Sequence, residues 1–224
     1  MPVPAESIFF DLWSAGYDRP GLQAATYRPV HDAVLERLGD LRPAAVLDLG
    51  CGTGHLTQRL RETWPGATVV GADLSDGMLA RAVERAAGGG DVDVGPPDVD
   101  SHHGFVGFVR ADAQALPLAD GSFDLVVCTE SFHWYADQAG AVEQVHRLLR
   151  PGGRFLIASV ATVTGFADDA IQRATALAGR PVKAIPKRRL RQLLEDGGFE
   201  VEHQGRIPRL GFIPWPVLTD ATKR

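Results

Sequence analysis

The stretch Val-Leu-Asp-Leu-Gly-Cys-Gly-Thr-Gly over residues 46–54 constrains the fold more than any other part of the chain. Val46, Leu47 and Leu49 suit a strand buried on both faces of a parallel sheet, and the run is broken by one carboxylate, Asp48, before three alternating glycines. Without a Cβ, glycine lets the backbone turn sharply and come close to a bound molecule. A second apolar run over residues 67–72 ends at Asp73, and a third over 105–110 is followed by Asp112. The interval from the glycines to Asp73 is near that at which a βαβ nucleotide site offers an acid to a ribose. Acids at successive strand ends beside a glycine turn describe a nucleoside pocket. The pattern is Gly-x-Gly-x-Gly, with neither the Gly-x-Gly-x-x-Gly of a dinucleotide site nor the Gly-Lys-Ser/Thr of a phosphate loop, so a pyrophosphate or triphosphate is not indicated.

Apolar runs alternate with helical stretches along the chain, the mark of an α/β, doubly wound, mostly parallel sheet covered on both faces. The patterning predicts strands near 45–49, 67–72, 105–110, 123–128, 154–160 and 199–204, and helices near 29–38, 55–63, 76–87, 137–149 and 187–196. Ser75 and Asp76 suit a helix N-cap, and Pro151-Gly152-Gly153 a helix stop. At 224 residues the chain reads as a single domain with an ample core. Its parts are an N-terminal cap over 1–40, a core over 41–160, an insertion over 161–186, and a last helix and strands over 187–224. Residues 88–104, with three consecutive glycines, two prolines and four aspartates, read as a surface excursion.

Four segments carry a resemblance to a known family. They are residues 46–54; Gly-Ala-Asp-Leu-Ser over 71–75; the stretch 111–127, from Ala-Asp-Ala to Phe-Asp-Leu-Val-Val; and Leu-Leu-Arg-Pro-Gly-Gly-Arg-Phe-Leu over 148–156. In this order and spacing they resemble the class I S-adenosylmethionine-dependent methyltransferases, and among them the type 11 group. The resemblance implies a Rossmann-like seven-stranded sheet whose last strand is antiparallel, with residues 207–213 as its candidate and a short or irregular end. It implies S-adenosylmethionine as cofactor and S-adenosylhomocysteine as product. Gly50, Gly52 and Gly54 would line the methionine part, Asp73 would bind the ribose hydroxyls, and Asp112 with the backbone of Ala113 would read the adenine amino edge. Asp48 and Leu74 flank these positions and join the expected cofactor set.

Two further segments carry candidates. Tyr27-Arg28-Pro29 reads as the start of a capping helix; members resembling trans-aconitate methyltransferase carry an Arg-Pro here that meets the methionine carboxylate, a geometry an arginine fork suits. Tyr17 would close over the cofactor from an N-terminal lid. After the fourth strand comes Glu130-Ser-Phe-His133-Trp134, at the carboxyl end where open α/β sheets place their ligands. His133 is either a packed, hydrogen-bonded residue or the base that accepts a proton from a hydroxyl or amine, since imidazole titrates near 6.5 when unperturbed. Glu130 is the alternative base, and Trp134 a wall of the acceptor pocket. Phe166, in an amphipathic stretch of the 161–186 insertion, would cover the acceptor.

Composition narrows the partners. A net charge of −5 argues against a broad nucleic-acid footprint and favours a small-molecule acceptor. Cys51 and Cys128 sit in apolar surroundings outside any metal-ligand spacing, and His102-His103 has only aspartates nearby, so no metal is expected. No apolar run approaches the roughly 20 residues that span a bilayer, and the start lacks a secretory pattern, so a cytoplasmic protein is expected. Lys183, Lys187, Arg188, Arg189 and Arg191 form a basic segment, either a plain solvated helix face or a docking face for a carrier-bound acceptor. A non-catalytic protein that binds S-adenosylmethionine as a regulator is the reading from a different class. Were the last strand incomplete, a homodimer through Trp215 would cover the open edge.

Overall fold

The strand β1 (Ala45–Leu49) is buried along its whole length at the centre of the sheet, flanked by parallel β2 (Thr68–Asp73) and β5 (Phe123–Thr129). The computed structural model describes residues 21, 23–88, 92–94, 104–160, 183–208 and 216–224. Tyr17, Phe166, Trp215, the His102-His103 pair and most of the 161–186 insertion lie outside these residues.

Side chains of a strand alternate between faces, and β1 shows it: Ala45, Leu47 and Leu49 join one apolar cluster, Val46 the other. The first face is covered by α4 (Gln138–Leu148) and α5 (Lys187–Asp196), the second by α1 (Arg28–Leu38), α2 (His55–Thr63) and α3 (Asp76–Ala87). In α1 the buried Val30, Val34 and Leu38 recur every four residues, a stripe that lies on β6 (Leu149–Val160) and the last strand. The Ser75 side chain accepts from Met78 N and caps α3, as expected, and Asp137 caps α4 in the same way.

The sheet runs β3 (Val92–Val94), β4 (Val106–Arg110), β2, β1, β5, β6, β8 (Pro216–Lys223), β7 (Phe199–Arg206). Every pairing is parallel except those of β8. The expected Rossmann-like seven-stranded sheet is present, with two corrections. Residues 92–94 of the supposed excursion add an eighth, short strand to the edge at β4, where Val92 and Val94 suit an extended backbone. The antiparallel strand is Pro216–Lys223 rather than 207–213, and it is regular: it lies between β6 and β7, pairing with both over most of its length. Pro216 is its first residue, the one strand position where a missing N–H costs little. Its interior residues from Val217 to Ala221 are all buried, so β8 is not an open edge.

The stop at Pro151-Gly152-Gly153 is real but sits inside β6. Phe123 pairs with Leu149 and Leu125 with Arg154, so residues 150–153 bulge out while the strand continues.

Candidate cofactor and acceptor site

At the carboxyl end of β1 the chain turns through Gly50, Gly52 and Gly54 with φ of 74°, 54° and 78°, values that a side chain rarely tolerates. The turn is stitched to β2: Gly50 N and Cys51 N both donate to Ala72 O, at 2.7 and 3.1 Å. Gly52 N donates to Asp73 Oδ2 at 2.9 Å and Ser75 N to Asp73 Oδ1 at 2.9 Å. The Asp73 carboxylate is therefore held rigidly beside the turn by two backbone amides. A Cβ on Gly54 would stand 3.0 Å from that of Ala82, so this glycine also lets α2 and α3 approach.

Asp48 has another position. It points to the helical face shared with Val46, is 1 % exposed, and accepts from Thr57 Oγ1 at 2.6 Å. Burial pushes its carboxyl up to about 7, and nearby Asp73 adds to the shift. Asp48 thus braces α2 from beneath the turn. Leu74 is half-buried, and its carbonyl accepts from Arg110 Nε at 3.2 Å.

Past β4, Asp112 Oδ1 accepts from both the backbone and the side-chain nitrogens of Gln114, each at 2.9 Å. Neighbouring Ala113 is 7 % exposed. The carboxylate is oriented from one side, with Oδ2 bonded to no described residue, as recognition of an exocyclic amino group requires.

Arg28 opens α1 and is exposed. One turn later Asp32 meets Arg59 of α2 at 2.6 Å, and His31 is buried within the electrostatic reach of Arg59 and of His55, the residue that follows the glycine turn. The start of α1 is thereby fixed at the level of the turn. Desolvation, with help from the Arg59 charge, drives His31 down to about 3, so it is neutral in the fold.

The segment after β5 carries the residues expected on the acceptor side. Glu130 has φ of 54°, the one positive value on a non-glycine among the described residues, and its amide donates to Ala158 O at 2.7 Å. A left-handed backbone costs such a residue about 1–2 kcal/mol, a strain typical of functional turns. His133 is 5 % exposed, with Nδ1 3.1 Å from Ser159 Oγ on β6 and its ring 5.0 Å from that of half-buried Trp134. The imidazole is thus packed and oriented, as a structural histidine and a held base both require. Its carbonyl accepts from Lys183 N at 2.8 Å, which ties this segment to the lead-in of α5.

Sequence reasoning passed over Ser131 and Tyr135. Ser131 Oγ donates to Leu49 O at 3.1 Å and lies 3.1 Å from Tyr135 Oη; Cys128 Sγ is 3.1 Å from the serine oxygen. A Cβ on Gly50 would come within 2.3 Å of Ser131 Oγ, so the first glycine is required by a protein side chain lying directly on it. The one available signal was the four-residue spacing of two hydroxyls next to the His-Trp pair. Burial raises the Cys128 thiol to about 11, so it is a packing thiol rather than a nucleophile, and the Cys51 thiol is raised as well.

The sheet order, the glycine turn and the acids at three strand ends define a class I, Rossmann-like methyltransferase fold. Residues 47–157 match the family model described as a methyltransferase domain, and the chain belongs to the type 11 group of S-adenosylmethionine-dependent methyltransferases. It is 36 % identical over 62 % of its length to a malonyl-[acyl-carrier protein] O-methyltransferase of Pseudescherichia vulneris, covering 48 % of that protein. It is 41 % identical over 51 % of its length to a demethylmenaquinone methyltransferase of Thermus thermophilus, covering 46 % of it. The chain thus spans about half the length of these relatives. Among solved structures, the magnesium protoporphyrin IX methyltransferase of Synechocystis with bound S-adenosylhomocysteine superposes with a TM-score of 0.70 at 20 % identity, over 97 % of this chain and 95 % of that one, a likeness of fold.

Proposed function

We propose that this chain is an S-adenosylmethionine-dependent methyltransferase acting on a small organic acceptor. The observation that carries the reading is the Asp73 carboxylate, fixed by Gly52 N and Ser75 N beside a turn of three left-handed glycines. That arrangement fits a ribose diol next to a thioether chain, and Asp112 fits the adenine amino edge. Arg28 suits the carboxylate of the methionine end. When bound, S-adenosylmethionine supplies an electrophilic methyl group on a sulfonium. The protein's part is then chiefly alignment of the acceptor, because effective molarities on the order of 10⁵–10⁸ M for well-oriented groups account for much of such an acceleration. His133, held by Ser159, takes the proton of a hydroxyl or amine acceptor, with Glu130 the alternative; a carboxylate acceptor needs neither. Calorimetric titration with S-adenosylmethionine, S-adenosylhomocysteine and NAD tests the cofactor: micromolar binding of the first two alone supports the reading, and binding of NAD alone sinks it. Release of S-adenosylhomocysteine in an acceptor screen tests turnover.

A second reading, transfer to a carrier-bound acyl acceptor, is favoured by one feature. The first turn of α5 presents exposed Lys187, Arg188 and Arg189 with no acidic residue among them. This turn follows Lys183, which is bonded to the His133 segment, by four residues, at most about 14 Å of chain. A cationic rim beside the acceptor segment suits a carrier with a negative surface, and the malonyl-[acyl-carrier protein] O-methyltransferase relatives are named for a carrier-bound acceptor.

A further inference from the structure

Two half-buried glutamines link Asp112 to the segment that carries His133. Gln114 uses both ends of its amide: Nε2 donates to Asp112 Oδ1 at 2.9 Å, and Oε1 accepts from Asp137 N at 2.7 Å. A backbone N–H only donates, so the amide oxygen must face Asp137 and the amide nitrogen the carboxylate. Asp137 is itself fixed as the N-cap of α4, since its Oδ1 accepts from Gly140 N at 3.0 Å and its carbonyl from Ala141 N at 3.2 Å. The next residue, Gln138, gives both amide protons to backbone carbonyls, Phe132 O at 3.1 Å and Lys183 O at 2.9 Å. Lys183 N donates to His133 O at 2.8 Å, and its ammonium donates to Ala136 O. Hydrogen bonds thus run from Asp112 to the backbone of Phe132 and His133, across one covalent step between Asp137 and Gln138. Beneath them Ala113, Phe132 and Ile185 lie in one buried apolar cluster, so a shift of any of the three stretches disturbs the packing of the others.

Asp112 is held through Oδ1 alone, by Gln114 N and Nε2. In the cofactor reading, on which this inference rests, Oδ2 takes the adenine amino group. A donor on Oδ2 fixes the plane of the carboxylate, and with it the Gln114 amide and the joint at Asp137. We propose that Gln114 and Gln138 are positioning residues that carry occupancy of the adenine site to the acceptor segment, so that cofactor binding orders His133 and the lead-in of α5 before the acceptor arrives. Order imposed by the first ligand lowers the entropy cost of the second, which couples the two sites. The coupling acts equally in both directions. Neither glutamine touches the reacting atoms; each acts through Asp112 or through the backbone of residues 132–136.

The test is amide hydrogen exchange at Lys183, whose N–H bonds His133 O, measured with and without saturating S-adenosylhomocysteine. In the parent the ligand should slow this exchange by about tenfold. In Gln114→Met, which keeps the side-chain volume and removes both bonds of the amide, the ratio should fall to about one while calorimetry shows the ligand bound. A purely structural role changes exchange equally with and without ligand and leaves the ratio at the parent's value, a result that overturns the proposal. A parent that binds S-adenosylhomocysteine with no slowing at Lys183 also overturns it and leaves the cofactor reading standing. Should Gln114→Met fail to fold or to bind, Gln138→Met, at a residue with no bond to Asp112, carries the same comparison. A parent that binds no S-adenosylhomocysteine refutes the cofactor reading itself, and this proposal with it.

Discussion

Arg37, in the last turn of α1, donates through Nε to Asp220 in the middle of β8 at 2.7 Å, a contact between residues 183 positions apart in the chain. Arg154 of β6 meets the same carboxylate through Nη2 at 2.6 Å and Nε at 3.2 Å. Asp220 is fully buried, while both guanidiniums reach partly to solvent. The two contacts join α1 to the antiparallel strand β8, and so fix the direction of α1, whose other end carries Arg28. Asp220→Ala should therefore destabilise the fold by about 1.5–3 kcal/mol, since it removes the charge-assisted hydrogen bonds of a buried carboxylate to two partly solvated arginines. Urea unfolding measures this, and a loss under 1 kcal/mol would mean that the pair is dispensable.

Asp73 is the residue on which the cofactor reading depends most. Replacing it with alanine removes the anchor of Gly52 and Ser75 together with the proposed ribose acceptor, and should weaken S-adenosylhomocysteine binding by at least about 1.5–3 kcal/mol. Calorimetry on the folded variant checks it; affinity equal to the parent's would place the ribose elsewhere.

Sequence legibility tracked locality. Residues 45–49 and the five helices were readable because parallel strands buried on both faces are continuously apolar and because amphipathic helices and caps follow local rules. The last strand was not, because Pro214 and Pro216 flank Trp215 and proline argues against a central strand; the rule holds for interiors, whereas Pro216 stands first in its strand. Residues 92–94 were hidden by glycine and aspartate on both sides and are only three residues long. At the site, the acids were visible as strand-end residues, but whether each faces the pocket depends on side-chain parity: Asp48 shares the face of Val46 and turns under α2. The Ser131 and Tyr135 contacts were beyond reach, since Ser131 meets Leu49 across 82 residues and no local pattern encodes that meeting.

Two buried titrating groups shape the pH profile with opposite signs. Asp48 holds its proton up to about 7 in the fold against 3.8 when free, so its contribution is full below 3.8 and is lost as pH rises through 7. His31, driven from 6.5 to about 3, contributes fully above 6.5 and loses that contribution as pH falls toward 3. Thermal melting from pH 4 to 9 should show Asp48→Asn, which keeps an acceptor for Thr57, losing less stability than the parent as pH rises from 4 to 7. His31→Gln should flatten the acid side. Profiles parallel to the parent's would show that these groups are not the ones that titrate.

Charge reversal at the start of α5 separates docking from an ordinary solvated face. Lys187, Arg188 and Arg189 stand at the positive end of a helix dipole, and Pro186 provides no side-chain cap, so this arrangement costs stability. Replacing all three with glutamate should raise stability by about 0.3–1 kcal/mol per site, because acids suit that end of a helix. S-Adenosylhomocysteine affinity should stay at the parent's value, since none of the three belongs to the cofactor site. If carrier-bound acceptors are the substrate, methyl transfer to a malonyl-loaded acyl carrier protein should fall at least tenfold, and the parent's rate should drop with added salt while the variant's does not. Transfer to a carrier undiminished in a more stable variant would return the turn to a solvated face, and no transfer to the carrier by the parent would leave the small-acceptor reading standing alone.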